Sequence, residues 1–271
     1  MEYGININFF ANKIGMEKAA KLVSKAGFTQ LDYTPHIKLD TWREEMTKDM
    51  KIFDAYGLKV HQTHSPFNRY GSYDNHGVCL ERCAEATEVT GAKYMVSHAD
   101  EFDFEHNAFS PEAAAEYNRK IYLPYVERAE KNGYKIAFET VFEDGYFRGR
   151  RYSSYADELY DFILSWNNPK AVCCCWDFGH SNVQFKNDAP AVVRRFGSLI
   201  ECTHLHDNAG NDSHQMPMTG DIDWKETMGA FREIGYKGIM SVEYAHGSMP
   251  ESLTEEFINL TFKAAKYAWE I

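Results

Sequence analysis

Short apolar runs alternate with longer segments of helical periodicity along this whole sequence, and the alternation repeats eight times. Short runs of this kind are typical of buried strands, and periodic segments of roughly ten or more residues are typical of helices. Glycine follows several of the helical segments, for example at Gly27, Gly57, Gly91 and Gly133, where a left-handed residue commonly ends a helix. The predicted strands are Tyr3–Asn8, Thr29–Thr34, Leu58–His64, Ala92–His98, Tyr134–Thr140, Ala171–Asp177, Leu199–Asp207 and Gly238–Tyr244. The predicted helices are Met16–Ala26, Trp42–Tyr56, Val78–Thr90, Pro111–Asn132, Ser153–Trp166, Ala189–Phe196, Trp224–Ile234 and Glu251–Trp269.

The alternation of single strands with single helices indicates a parallel sheet, because parallel neighbours need a crossover connection between them. Eight such units in 271 residues predict the α/β class and a closed (β/α)8 TIM barrel. An open, doubly wound sheet is the alternative. Such sheets usually begin with a glycine-rich turn, whereas the first strand here leads into Ile7-Asn8-Phe9. No linker or low-complexity tract divides the sequence, so we expect one domain covering residues 1–271.

The charge balance argues against several classes of partner. With 29 Lys and Arg against 40 Asp and Glu, the net charge is −11, which is unfavourable for nucleic acid binding because phosphate contacts rely on clustered cations. No apolar run approaches the roughly 20 residues that span a bilayer, and the first residues lack the basic and apolar regions of a signal peptide. Six cysteines, three of them adjacent, fit reduced buried thiols better than a disulfide framework. We therefore expect a cytoplasmic protein that binds a small molecule and neither nucleic acid nor membrane.

In a barrel of this kind the active site lies at the carboxyl ends of the strands, so the polar residues there are the candidates. Strands three to eight supply His61, His64, His98, Glu139, Asp177, His204, His206 and Glu243, and His180 follows three residues after the aspartate. All of these are metal-ligand types, although His61 is equally explained by burial within strand three. Side chains two positions earlier share a face with each candidate, and several are small, such as Ala137, Cys175 and Ser241. Small residues at these positions fit the narrow interior of an eight-stranded barrel.

Four of these residues are expected to converge at one point of the rim: Glu139, Asp177, His206 and Glu243. Three ionised carboxylates at one point repel one another unless a cation lies between them. Mixed carboxylate and imidazole ligands suit Mn²⁺, Co²⁺, Mg²⁺ or Zn²⁺, and the sequence does not choose among these ions. We therefore expect one divalent cation as the cofactor.

The same residues lie in motifs that resemble the xylose isomerase-like TIM-barrel superfamily, and within it the sugar phosphate isomerases/epimerases. The resemblance covers essentially the whole chain and rests on the order and spacing of the motifs. These are His64-Ser65-Pro66-Phe67, Phe138-Glu139-Thr140, Asp177-Phe178-Gly179-His180, His204-Leu205-His206-Asp207-Asn208, Gly220-Asp221-Ile222-Asp223-Trp224 and Val242-Glu243-Tyr244. The resemblance implies a metal-dependent enzyme that acts on a small sugar or polyol.

Similarity to the ketose 3-epimerases and hydroxypyruvate isomerase of this superfamily implies that the four converging residues ligate the ion, with His204 as the alternative to His206. It also implies that the ion stabilises an enediolate formed when a carbon-bound proton is removed. Glu139 and Glu243 would then be the catalytic bases. Their use on opposite faces of the substrate gives epimerisation, and the use of one with transfer between neighbouring carbons gives isomerisation.

Further residues are expected to contact the substrate. His180 matches a position that contacts substrate in the epimerases, and we expect the same role for His64 and His98. Arg148, Arg150 and Arg151 lie in the loop after strand five, where they either bind a substrate phosphate or carboxylate or form a solvated basic loop. Many relatives are dimers or tetramers, so the resemblance also implies a homo-oligomer.

One position departs from the epimerase pattern. The ketose 3-epimerases place an arginine six residues after the strand-seven histidine, where this sequence has Asp212, followed by His214. In the endonuclease IV branch an Asp-x-His at this point binds an additional zinc, so these two residues and His204 are candidates for a second metal or for the substrate. Three alternatives therefore stay open: an inosose-type dehydratase on the same scaffold, an endonuclease IV-like multinuclear zinc enzyme, and a non-catalytic carbohydrate-binding barrel.

Overall fold

The computed structural model describes residues 1–66, 76–104, 106–143, 150–244, 247 and 249–271, and it confirms the (β/α)8 barrel. Two residues named above lie outside this part of the chain: Phe67, the last residue of the first motif, and Arg148 of the loop after strand five. Its parallel strands are β1 (Tyr3–Asn6), β2 (Gln30–Tyr33), β3 (Lys59–His64), β4 (Tyr94–Ser97), β5 (Lys135–Glu139), β6 (Val172–Asp177), β7 (Ile200–His204) and β8 (Met240–Val242). Each strand lies within its predicted run and is shorter at one or both ends.

The strands form one closed sheet. Hydrogen bonds join them in the order β7-β6-β5-β4-β3-β2-β1-β8. The two ends of this row meet through a parallel bridge between Leu205 and Val242. There, Leu205 N donates to Ser241 O at 2.7 Å, and Glu243 N donates to Leu205 O at 3.2 Å. Because all eight strands point the same way, their carboxyl ends share one rim of the barrel.

The helices cover the outside of the barrel. They are α1 (Asn8–Ile14), α2 (Met16–Ala26), α3 (Trp42–Ala55), α4 (His76–Thr90), α5 (Pro111–Asn132), α6 (Ala156–Ser165), α7 (Phe178–Phe185), α8 (Ala189–Phe196), α9 (Trp224–Glu233) and α10 (Thr254–Glu270). The predicted bounds of α2, α5 and α8 are confirmed at both ends. Helix α5 begins where Ser110 accepts a hydrogen bond from Ala113 N, and it ends at Gly133, which is left-handed with φ of 80°. None of the described helices is both long and apolar enough to cross a bilayer.

Helices α1 and α7 are not predicted by hydrophobic periodicity, and each begins close to the end of a strand. The first strand ends at Asn6 rather than Asn8, because Asn6 Oδ1 accepts a hydrogen bond from Asn8 N at 3.2 Å and turns the chain. Helix α7 follows β6 directly, since Asp177 Oδ1 accepts a hydrogen bond from His180 N at 2.6 Å and caps the helix. In both places one polar side chain accepts a backbone hydrogen bond where the strand ends, and at α7 this bond also caps the helix.

Small side chains line the barrel interior beneath the rim. Val96, Ala137, Cys173, Cys175 and Cys202 form a buried cluster there, separate from the core between sheet and helices. All six cysteines are buried and free of disulfide bonds, as expected. Cys173, Cys175 and Cys202 fill the space beneath the rim, whereas the other three cysteines pack in the core between sheet and helices.

His61 has the packing role and does not reach the rim. It is the third residue of β3 and lies three positions before His64, the last residue of that strand. It lines a cavity with Glu2 and Gly238, which precede β1 and β8, so it lies toward the amino-terminal end of the barrel. Burial and the nearby charge of Lys93 lower the pKa of His61 to about 4.

Candidate metal centre at the barrel rim

Four side chains at the carboxyl ends of β5 to β8 form what we call the inner group: Glu139, Asp177, His204 and Glu243. Each offers a ligand-type atom within 4.8 Å of the others, and all four residues are buried. His204 Nδ1 lies 2.8 Å from Glu139 Oε1 and 3.4 Å from Glu243 Oε2. The same nitrogen lies 3.9 Å from Asp177 Oδ2. Three carboxylates and one imidazole nitrogen therefore face a common point.

Strand seven offers two histidines for this group, and the geometry favours His204 over His206. Strand β7 ends at His204, whose Cα pairs with that of Asp177 across the sheet, whereas His206 lies beyond the strand. His206 reaches the inner group only at its edge, with Nε2 3.0 Å from Asp177 Oδ1. A Cβ on Gly179 would lie 1.9 Å from the His206 ring, so the glycine of the Asp177-Phe178-Gly179-His180 motif permits this approach. In the inner group, His204 therefore occupies the position that the family resemblance assigned to His206.

A buried aspartate of β2 orients His204. Asp32 Oδ2 lies 2.9 Å from His204 Nε2, and neither side chain is exposed. Because Nε2 is the ring nitrogen beside Asp32, Nδ1 is the atom that faces the three carboxylates. Carboxylates paired in this way fix metal-ligating imidazoles and raise their basicity. Asp32 is absent from the predicted site, and its only signal in the sequence is an acidic residue inside a predicted strand.

Charge and burial act in opposite directions on the pKa values of the inner group. Burial alone would raise the pKa of Glu139, but His204 and His98 hold it well below its usual value. Burial alone would lower the pKa of His204, but Glu243 and Glu139 hold it well above its usual value. A proton on His204 Nδ1 therefore balances the ionised carboxylates at the point that a cation would take. Carboxylate oxygens and an imidazole nitrogen are ligands of Mn²⁺, Co²⁺, Mg²⁺ and Zn²⁺, so these residues fit such an ion.

Four further residues beside the inner group form what we call the outer group: His180, His206, Asp212 and His214. Asp212 Oδ1 lies 3.3 Å from His214 Nε2, and its Oδ2 lies 3.5 Å from His180 Nε2. The rings of His206 and His214 are stacked with their centroids 4.1 Å apart. Asp212 and His214, which stand where the epimerases have an arginine, are thus brought to the rim.

Backbone carbonyls orient two of the outer histidines. His180 Nδ1 donates to Thr140 O at 2.9 Å, and His214 Nδ1 donates to Glu243 O at 3.0 Å. Nε2 of each ring therefore faces Asp212. Metal-ligating histidines commonly donate one ring N–H to a carbonyl in this way and bind the ion through the other nitrogen. Burial opposes protonation of both rings, but the neighbouring carboxylates raise the pKa to about 9 for His180 and to about 10 for His214. The donor set of the outer group fits a second cation.

His64 and His98 contact Glu139 from the side of β3 and β4. Their Nε2 atoms lie 3.1 and 2.8 Å from Glu139 Oε2. Arg151 Nη2 lies 3.3 Å from His98 Nδ1, and since a guanidinium only donates, His98 carries its proton on Nε2 and donates it to Glu139. Arg151 is buried and also paired with Asp100. It therefore positions His98 and does not face a substrate anion.

A cleft of about 570 Å³ adjoins the inner group, and His64 and Glu243 are among its lining residues. Asn6 and Phe9 line the same cleft and offer it amide groups and an aromatic face. Glu139, by contrast, is fully buried. Glu243 is therefore the inner carboxylate that a molecule in this cleft would meet.

Comparison with known proteins agrees with the fold. Residues 20–263 match the family model described as "Xylose isomerase-like TIM barrel". The chain belongs to this family. Among its relatives, an uncharacterized protein of Methanocaldococcus jannaschii is 28% identical over 208 residues, which cover 72% of this chain and 67% of the relative.

Solved structures share the architecture of this xylose isomerase-like barrel. A D-psicose 3-epimerase crystallised in the presence of D-fructose superposes with a TM-score of 0.78, at 14% identity over 99% of both chains. The IolI protein with a binding zinc atom superposes with a TM-score of 0.75, at 18% identity over 100% of this chain and 98% of that one. At such identities the comparison establishes a common fold.

Proposed function

We propose that this xylose isomerase-like barrel is a divalent-metal-dependent isomerase or epimerase of a small sugar or sugar derivative. The observation that carries the proposal is the inner group, in which three carboxylates face one imidazole nitrogen beside an open cleft. The family membership and the structural likeness to a sugar epimerase and to a zinc-binding protein support it.

The residues of the inner group would hold the ion. When bound, the ion polarises a carbonyl and its neighbouring hydroxyl and so acidifies the adjoining carbon-bound hydrogen. Glu243 lines the cleft and would take that proton, and Glu139 would return a proton from the other side. His64 and His98 hold Glu139 in place through their Nε2 atoms.

The three histidines expected to contact substrate differ in access. His64 is half-buried and lines the cleft, so we propose that it binds a substrate oxygen. His98 and His180 are buried. Both ring nitrogens of His98 are engaged, with Arg151 and with Glu139, and Nδ1 of His180 is engaged with the Thr140 carbonyl. We propose that His98 acts on the substrate through Glu139.

Metal analysis and proton exchange test the proposed function. The purified protein should contain a divalent ion and should exchange a carbon-bound proton of at least one ketose or inosose in D₂O supplemented with Mn²⁺. Substitution of either base, Glu139→Gln or Glu243→Gln, should slow the exchange by about 10²- to 10⁴-fold. Glu201→Gln is the matched control, because this acid pairs with Lys135 and lines the cavity at the opposite end of the barrel. Exchange that neither base substitution slows would refute the proposal.

The outer group favours a second candidate function, an endonuclease IV-like multinuclear zinc enzyme. The Nε2 atoms of His180 and His214 face Asp212 beside the inner group. This arrangement suits the binding of an additional ion. Adjacent ions are typical of enzymes that hydrolyse phosphoesters. The net charge of −11 weighs against a DNA substrate, because it opposes contact with phosphates.

The number of bound ions and the reaction separate the two candidates. One ion in the inner group together with proton exchange on a sugar supports the isomerase or epimerase. Two or three zinc ions per chain together with cleavage of DNA at an abasic site support the second candidate.

A further inference from the structure

Asp207 follows β7 at the start of the long connection to α9, and its buried carboxylate accepts four hydrogen bonds. Oδ1 accepts from Asn208 N at 2.9 Å and from Ile222 N at 3.3 Å. Oδ2 accepts from Met218 N at 3.0 Å and from Trp224 Nε1 at 2.8 Å. One carboxylate therefore ties the beginning, the middle and the end of this connection to the barrel.

The backbone of Asp207 adds a second attachment beside the outer group. Asp207 N donates to Gln215 O and Gln215 N donates to Asp207 O, both at 2.8 Å. Gln215 directly follows His214, which has a φ of 44°, and Met218 has a φ of 76°. Both values lie in the left-handed region, which is unfavourable for residues other than glycine and persists only where surrounding contacts enforce it. The contacts that Asp207 makes lie at or next to both strained residues.

Gly220 gives an independent indication that the connection is built around this carboxylate. A Cβ at Gly220 would lie 2.3 Å from Asp207 Oδ1 and 2.2 Å from Asn208 O. The backbone thus closes over the carboxylate at a distance that only glycine permits.

We propose that Asp207 is the positioning residue of the outer group. Its carboxylate holds the connection in the one conformation that turns Asp212 and His214 toward His180 and His206. Asp207 is not among the residues of the group itself and acts on it through the backbone. The expected consequence for ion binding rests on the proposed second cation in the outer group.

Three variants test this role. Asp207→Asn places an amide N–H₂ against backbone donors, and Gly220→Ala pushes the backbone away from the carboxylate. Asp223→Asn is the matched control, because this aspartate lies in the same connection but caps α9 through Glu226 N. Hydrogen exchange of residues 208–222 reports the position of the connection in the metal-free chain. Zn²⁺ stoichiometry and the absorption spectrum of bound Co²⁺ report the outer group.

We expect Asp207→Asn and Gly220→Ala to accelerate exchange at Met218 and Ile222 and to weaken the second ion by about 10- to 100-fold. The affinity for the first ion should match that of the control, whereas the melting temperature of the metal-free barrel should fall, because Gly220→Ala brings a Cβ to 2.2 Å from Asn208 O. Unchanged exchange in Asp207→Asn overturns the inference, and so does an unchanged second-ion affinity. If the unaltered chain binds only one ion, the second cation is refuted, and the exchange measurement alone decides the role of Asp207.

Discussion

Replacement of Asp32 by asparagine should weaken the binding of a divalent cation to the inner group by about 10- to 100-fold. Asp32 Oδ2 lies 2.9 Å from His204 Nε2 in a buried charge pair, and neither side chain is exposed. Asparagine has the same shape but lacks the negative charge that raises the basicity of the ring. The expected loss corresponds to about 1.4 to 2.8 kcal/mol of binding free energy.

The assay is calorimetric titration of the metal-free protein with Zn²⁺, in competition with a chelator of known affinity. The matched control is Asp49→Asn. Asp49 is also a buried acid, but it accepts hydrogen bonds from Tyr33 Oη and His36 Nε2, both at 2.8 Å, and is not part of the inner group. Unaltered Zn²⁺ affinity in Asp32→Asn would refute the reasoning. An equal loss of Zn²⁺ affinity in Asp49→Asn would show that removal of any buried acid weakens binding, and not the loss of the Asp32–His204 pair in particular.

Three further outcomes are expected. Gly179→Ala should lower the free energy of unfolding in urea by about 1 to 3 kcal/mol, because its Cβ would lie 1.9 Å from the His206 ring. Gly229→Ala should not lower it, because a Cβ there has nothing within 4 Å. Equal stabilities of the two variants would contradict this expected difference. His61 has a pKa of about 4 in the folded chain against an ordinary 6.5, so the unfolded chain binds the proton first as the pH falls. Between pH 6.5 and 4 the free energy of unfolding should therefore fall by up to about 3 kcal/mol because of His61, and in His61→Phe it should fall correspondingly less. Parallel pH profiles of the two proteins would exclude this contribution of His61. Removal of bound metal by a chelator should lower the melting temperature, and Zn²⁺ at about 100 times its Kd should raise the free energy of unfolding again by about 2.7 kcal/mol. A melting temperature that responds to neither treatment would count against a resident ion.

The barrel is readable from the sequence because its signals are local. Apolar runs, periodic segments and the glycines after helices such as α2 and α5 each depend on neighbouring residues, and their eightfold repetition leaves few architectures open. Helices α1 and α7 could not be predicted in this way. Each begins after a polar side chain that accepts a backbone hydrogen bond at the end of a strand, and such a bond leaves no periodic pattern.

The carboxylates of the inner group are predictable for the same reason. Glu139 and Asp177 end strands whose bounds the apolar runs reveal, and Glu243 directly follows another. Parallel strands bring such residues to one rim whatever their separation in the chain. Residue type and strand position therefore suffice to place three acids at the candidate site.

The choice between His204 and His206 belongs to the tertiary structure. The two residues share a face of the same predicted strand, so alternation treats them alike. Only the register of β7 against β6 places His204 opposite Asp177 and leaves His206 beyond the sheet. Asp32 contacts the site for the same reason, from a strand that supplies no rim candidate, and its partner lies 172 positions away in the chain. Local periodicity determines which elements form, but the partners of a buried polar group depend on distances across the closed sheet, which no local pattern records.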